Sequence, residues 1–339
     1  MKETGLVTFL RGSFGTILII LCLLLNFDSA AIGAERTLRL GHATDSSAAF
    51  HKALLQYAEN IAKRTNNRLK IIVYPASQLG GDREMFESVQ IGNQDMIYSS
   101  SSPATSFVPE AAMWEFPYLI RDEAHWKKLI QGEIGAKFRN IFEKYGYKLN
   151  SFIWQGYRQA VTTRKCGKLE DFKGVKFRIM ESPIQRTTWS TVGAVPVPTP
   201  YSEAYMALKL GTVEGMENPL SLLVAMKFYE VTKYLVMTSH SHQTSIIVMN
   251  KKVFDSLDSD LQKVITDESL KAEEYISTAN ENENADAIKF LTTKGKGNLE
   301  LINPDLKPFF QRSEIILTEM EKKLKPEVVE LIKGAKAIQ

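Results

Sequence analysis

Cysteine is nearly absent: the 339 residues hold two, Cys22 and Cys166, and Cys22 lies within an N-terminal apolar run. Without that run Cys166 stands alone, so no internal disulfide can form. A buried, unreactive thiol is expected, since nothing local offers it a paired base. A large charge excess is missing too: 42 basic residues face 39 acidic ones, and no basic stripe stands out. Nucleic acid and anionic membrane are therefore poor partners. No second apolar run is long enough to span a bilayer. No glycine-rich phosphate loop follows any expected strand, and the serines at 99–102 lack the flanking glycines of a nucleophile elbow. His42 and His51 have no acidic partner at metal-ligand spacing. These gaps leave no cofactor, no metal and no catalytic residue expected. Any affinity for anions has to come from a few placed cations.

What is present begins with a targeting pattern. Lys2 and Arg11 precede the apolar stretch 14–27, and Ser29, Ala30, Ala31, Gly33 and Ala34 then supply small side chains. That order predicts a secretory signal peptide over 1–34 and a periplasmic protein. A membrane anchor is the alternative, disfavoured because the stretch falls short of the roughly 20 residues that cross a bilayer. The rest of the chain is long enough to divide into two lobes.

Along that remainder, helical and strand periods alternate. Phe50, Leu54, Tyr57, Ala58 and Ile61 recur at helical spacing up to Asn66-Asn67, and a strand over 69–74 follows. A helix with Asp82 as its N-cap runs to Gly92, and a strand covers 95–99. A second series predicts strands over 147–154, 174–179, 194–197, 213–216 and 244–249. Helices over 183–192, 202–210 (capped by Ser202) and 220–231 lie among them. The alternation implies two α/β lobes with largely parallel sheet. From Asp258 to about Thr293 the helical period runs without Pro or Gly, which at 1.5 Å per residue makes a rod of about 54 Å. Its middle, Asn280-Glu281-Asn282-Glu283-Asn284, is too polar for a coiled-coil seam, so the rod is expected to lie along both lobes.

Five blocks then stand in order: Tyr74-Pro75-Ala76-Ser77-Gln78-Leu79-Gly80-Gly81-Asp82-Arg83, Glu115-Phe116-Pro117-Tyr118-Leu119, residues 169–178 (LEDFKGVKFR), Tyr201-Ser202-Glu203-Ala204-Tyr205, and residues 213–219 (VEGMENP). Over 38–257 the chain resembles the solute-binding proteins of tripartite ATP-independent periplasmic (TRAP) transporters, of the DctP type. The resemblance implies an α/β, class II-like periplasmic-binding-protein clamshell with a long helix spanning both lobes. Lobe I would comprise 35–154 plus about 243–280, and lobe II 155–242 plus about 281–339.

The partners implied are a small organic anion and the membrane permease subunits, with the binding protein acting as a monomer. The ligand is expected to be a sugar acid (uronate, aldonate or keto-sugar acid) or a C4-dicarboxylate. A short sulfonate, or service as the ligand sensor of a membrane kinase, is the alternative.

The resemblance assigns the ligand carboxylate to Arg178. A planar guanidinium suits the task because it donates two parallel hydrogen bonds and keeps its charge when buried. The resemblance adds Arg158 as a second anion-binding arginine, Asn218 to orient the ligand and Tyr201 to cover it. From the opposite lobe, Asp82 and Ser100 are expected to face the ligand. His242 is a further expected contact, and His240 is weighed as either a contact or a hinge residue. Ser100 stands where sialic-acid-binding relatives carry a carboxylate, which argues against that ligand. The uncharged serine run favours polyhydroxylated monoacids, although Arg83 or the histidines could supply a second cation.

Overall fold

Alternate burial along the strands decides how the sheet is used. In the computed structural model, which describes residues 35–338, Ile97, Phe152, Ile246 and Val248 join one apolar core, whereas Met96, Tyr98, Ile153, Ile247 and Met249 join another. Neighbouring residues of a strand point to opposite faces, so both faces of this part of the sheet are covered. The same alternation recurs farther along, with Ala160 and Val236 in a third core and Val161 and Leu235 in a fourth. The expected signal peptide, its cut and Cys22 lie outside the described residues.

One sheet connects all four cores. It comprises β1 (Arg36–Gly41), β2 (Leu69–Tyr74), β3 (Met96–Ser100), β4 (Tyr147–Thr162), β5 (Lys176–Ile179), β6 (Val195–Pro198), β7 (Gly215–Pro219), β8 (Tyr234–Asn250) and β9 (Glu300–Ile302). The order is β2-β1-β3-β8-β4-β7-β5-β6, with β9 beside β8. β1·β3, β5·β6, β5·β7 and β8·β9 are parallel, as the alternating pattern implies. β3·β8, β4·β8 and β4·β7 are antiparallel, so the expectation of a largely parallel sheet gives way to a mixed one.

The difference comes from β4 and β8, which are 16 and 17 residues long where the sequence pattern marks about half of each. Their distal halves carry Gly156, Arg158, Gln159, His240, His242 and Gln243, polar or small residues that break the apolar alternation. All but His240 stay paired, Gln159 with Asn218 of β7 and the others across β4 and β8. Register shifts at Leu149/Ser151, Trp154/Gly156 and Arg158/Ala160 let the pair bend as it passes from one half of the molecule to the other.

The long helix, Ser259–Thr292, runs for 34 residues, or about 51 Å at the α-helical rise. Leu261, Ile265, Ala272 and Ile276 enter the second core and Leu291 the fourth, so the rod reaches both halves. Its polar residues hold β4: Ser277 Oγ accepts from the Trp154 N–H at 2.9 Å, Asn280 Nδ2 donates to the Trp154 carbonyl at 3.1 Å, and Asn284 Nδ2 donates to the Gln155 carbonyl at 2.7 Å. Backbone groups left unpaired where β4 bulges are thus satisfied by the helix.

Two expected helix starts differ. Gly81, not Asp82, is the N-cap of Asp82–Ile91, because Glu84 reaches back to the Gly81 N–H (2.8 Å) and leaves the Asp82 carboxylate for another use. Ser202 sits within a 3₁₀ turn, Tyr201–Glu203, and gives no side-chain cap to Ala204–Lys209. The helix expected over 220–231 ends at Ala225, since Lys227 adopts a left-handed conformation (φ 57°) that starts a separate turn. Cys166 is buried and free, and burial pushes its thiol up.

Candidate functional site

The strand ends converge on two adjoining cavities. The outer, of about 210 Å³, is lined by residues including Gly81, Asp82, Arg83, Arg178, Glu181, Thr199 and Tyr201. The inner, of about 40 Å³, is lined among others by Thr44, Phe50, Ser100, Gln155, Asn218 and Gln243. Asp82, Arg178, Met180 and Tyr201 line both. The lining is drawn from both halves of the sheet, with β3 and the start of Asp82–Ile91 on one side and β5, β7 and the turn at Tyr201 on the other.

Arg178 is 2% exposed at the end of β5. Its Nε and Nη2 both donate to the Thr199 carbonyl, at 2.9 and 2.8 Å, and this pins the guanidinium plane. Nη1 is buried and makes no hydrogen bond among the described residues. The Tyr201 ring lies under the guanidinium, 5.6 Å from Cζ to the ring centre. Burial lowers the Arg178 pKa to about 10, with Glu217 working against that shift and Arg158 adding to it. The group is therefore a full cation at neutral pH, held rigidly with one donor nitrogen uncommitted.

Across from it, Asp82 accepts from Ser99 Oγ at 2.7 Å, and burial pushes its carboxyl up against the opposing effects of Ser99 and Arg178. Asn218 Nδ2 donates to the Tyr201 hydroxyl at 2.8 Å, so ring and amide are fixed as one unit. Ser100 Oγ touches Met180 Sδ at 3.5 Å, a weak pairing that a better acceptor would displace. Five of the seven expected site residues, Arg178, Asp82, Tyr201, Asn218 and Ser100, thus line the cavities.

Arg158 and His242 line neither. The Arg158 guanidinium is turned along the sheet: Nε and Nη2 donate to the Glu217 carboxylate, Nη2 also to the Glu217 carbonyl at 3.0 Å, and Nη1 to Gln243 Oε1. Although burial opposes it, Arg158 and His240 hold Glu217 down at about 2, so this is a buried ion pair. His240 belongs to the same knot, with Nε2 3.3 Å from Glu217 and Nδ1 2.8 Å from Thr238 Oγ1, and this favours the hinge role over ligand contact. His242 stacks on Trp154 with ring centres 3.7 Å apart. Burial, and then Arg158, keep its pKa well below the usual histidine value. Position in the motif did not reveal Glu217, the neighbour that absorbs Arg158.

Sequence reasoning also missed Gln155, Gln243, Met180 and Thr199 in the lining, and Glu115 behind it. Glu115 is a buried carboxylate that accepts from Ser101 Oγ (3.0 Å), from Ser102 Oγ and from Gln185 Nε2 (3.3 Å). Burial raises its pKa, against the hydroxyls and Arg158. The serine run is thus divided: Ser99 and Ser100 line the inner cavity, while Ser101 and Ser102 serve Glu115. Among the described residues no group of three or more His, Cys, Asp or Glu side chains is placed to hold a metal.

A buried cation and polar side chains gathered between two sheet halves under a common spanning helix define a two-lobe α/β binding protein. Residues 40–324 match the family model for bacterial extracellular solute-binding protein, family 7 (DctP). A solute-binding protein of Verminephrobacter eiseniae is 31% identical over 307 residues, which cover 90% of this chain and 91% of that protein. The chain belongs to this family, the DctP-type binding proteins of TRAP transporters, which are transport components and not enzymes.

Among solved structures, the sugar acid binding protein of Advenella mimigardefordensis in complex with galactonate superposes with a TM-score of 0.86. It is 26% identical, covering 90% of this chain and 99% of that one. A TRAP periplasmic solute-binding protein of Sulfurospirillum deleyianum with bound succinate gives 0.83 at 28% identity, covering 90% and 100%.

Proposed function

We propose that the protein captures a small organic acid between its two halves, grips the carboxylate through Arg178, and delivers the acid to a TRAP permease in the membrane. The observation that carries this reading is the uncommitted Nη1 of a buried, immobilised guanidinium at the junction of the two cavities. A carboxylate oxygen placed there gains a charge-assisted hydrogen bond in surroundings shielded from water, where such bonds are strongest. Tyr201 and Asn218 orient the acid from the same side, and Asp82 and Ser100 accept or donate from the other. Arg158 serves by keeping Glu217 and Gln243 in place, and His242 by packing on Trp154.

The ligand class is that of relatives, sugar acids such as aldonates and uronates or C4-dicarboxylates, with short sulfonates as a further fit to the same guanidinium. The lobe limits expected from the sequence are 35–154 with about 243–280 and 155–242 with about 281–339. The cores on either side of the β4 and β8 bends fit most of that division, but Val328, Leu331, Ile332 and Ala335 of the helix Pro326–Ala337 join the first core, so that helix is assigned here to lobe I. Closure of the lobes over the acid would create the surface that a permease recognises. The protein is taken to act as a monomer. The family's extracellular assignment supports export to the periplasm through the signal peptide at 1–34.

Calorimetric titration of the mature chain and of Arg178→Ala against galactonate and succinate tests the reading. The variant is expected to fold while losing on the order of 2 to 5 kcal/mol of binding, roughly thirty-fold or more in affinity. Unchanged affinity would discard the role given to Arg178.

A further inference from the structure

The inner cavity holds a second buried donor with no acceptor. Gln155, fully buried at a bulge of β4, lines it, and its Nε2 makes no hydrogen bond among the described residues. Its Oε1 is occupied from behind, accepting from the Tyr98 hydroxyl at 2.7 Å and from Asn280 Nδ2 at 3.1 Å. Asn280 Nδ2 also donates to the Trp154 carbonyl, and this fixes which end of the Asn280 amide is the nitrogen. The Gln155 oxygen must meet it, and the Gln155 nitrogen is left for the cavity.

Charge is equally specific. Asp82 and Arg178 are the only charged side chains among the inner lining residues. Arg158 is committed to Glu217, and on the outer rim Arg83 stands 3.8 Å from Glu181 beside Glu84 and Glu203. One ligand carboxylate can therefore be matched by Arg178. A second would be buried without a cation and in the company of Asp82, a strongly unfavourable arrangement.

We propose that Gln155 is a specificity-determining residue which donates from Nε2 to an uncharged ligand oxygen, and that the site selects monocarboxylates bearing hydroxyl or carbonyl oxygens over dicarboxylates. This deepens the function proposed above and rests on it. Arg178 takes the charge, Gln155 takes a neutral acceptor away from it, and Asp82 accepts from a ligand hydroxyl.

The test uses acids matched in all but the far end: D-erythronate against tartrate, and galactonate against galactarate, titrated by calorimetry into the mature protein. The monoacid of whichever length binds is expected to bind at least tenfold tighter than its diacid. Gln155→Leu should weaken that monoacid tenfold or more. Tyr98→Phe removes the bond behind Gln155 but leaves Nε2, and should keep the monoacid-to-diacid ratio of the parent. If Gln155→Leu does not fold, Gln155→Glu keeps the acceptor for Tyr98 and Asn280, removes the donor, and should show the same loss. Equal or tighter binding of the diacid, or undiminished monoacid affinity in a folded Gln155 variant, overturns the inference while Arg178→Ala still weakens binding as expected above. If none of the four acids binds, or Arg178→Ala binds like the parent, the proposed function itself fails and this inference with it.

Discussion

Arg178 and Arg158 lie on neighbouring parts of one sheet, both buried, yet their surroundings give them opposite work. Thr199 offers Arg178 a carbonyl that orients it without neutralising it, whereas Glu217 offers Arg158 a carboxylate that does both. Removing one partner of a buried pair leaves the other charge uncompensated, a loss of about 3–5 kcal/mol. Glu217→Ala is accordingly expected to lower stability by that order in urea unfolding of the ligand-free protein. A second residue-scale prediction concerns acid. Burial lowers His42 to about 3, with His51 contributing, and holds His242 well below the usual value. Below about pH 6.5 the unfolded chain takes up protons that these folded histidines refuse, so their contribution to stability falls as pH falls. Melting temperature is expected to drop from pH 7 to 5, with a shallower slope in His42→Asn. Motif position was enough to place Arg178, Tyr201, Asn218, Asp82 and Ser100 at the cavities they line. Gln155 was not legible, because an amide's role depends on which of its two atoms the neighbours occupy.

At the scale of elements, the long helix and β4 explain each other. The Asn280–Asn284 stretch has too little apolar surface for a helix seam, and its amides instead meet backbone groups exposed by the β4 bulge. Gly156 makes the approach possible: its φ of +105° disfavours other residues, and a Cβ there would come within 2.6 Å of Asn284 Nδ2. Asn284→Ala would leave the Gln155 carbonyl and the Ser221 N–H without partners. A loss of about 1–3 kcal/mol is expected in denaturant unfolding. The rod and its spanning role were readable from periodicity and length. The full extent of β4 and β8 was not, since their distal halves are polar strands buried on long-range partners, a pattern that local alternation cannot register.

For the whole molecule, one sheet joined through two long, bent strands is the element on which the proposed closure over an acid would turn. Ligand that binds only the folded state stabilises it by mass action, about 2.7 kcal/mol at a hundredfold excess over Kd. An organic acid that binds the parent, held at that excess, should raise the parent's melting temperature by several degrees and that of Arg178→Ala by much less. The fold class was legible in five ordered blocks, whereas the mixed strand directions required the three-dimensional pairing. The most direct measurement of all is a crystal structure with an acid bound. A carboxylate oxygen is expected within about 3 Å of Arg178 Nη1, with Nε and Nη2 still on the Thr199 carbonyl. An acid seated elsewhere, or one whose carboxylate leaves Nη1 untouched, would contradict the central claim.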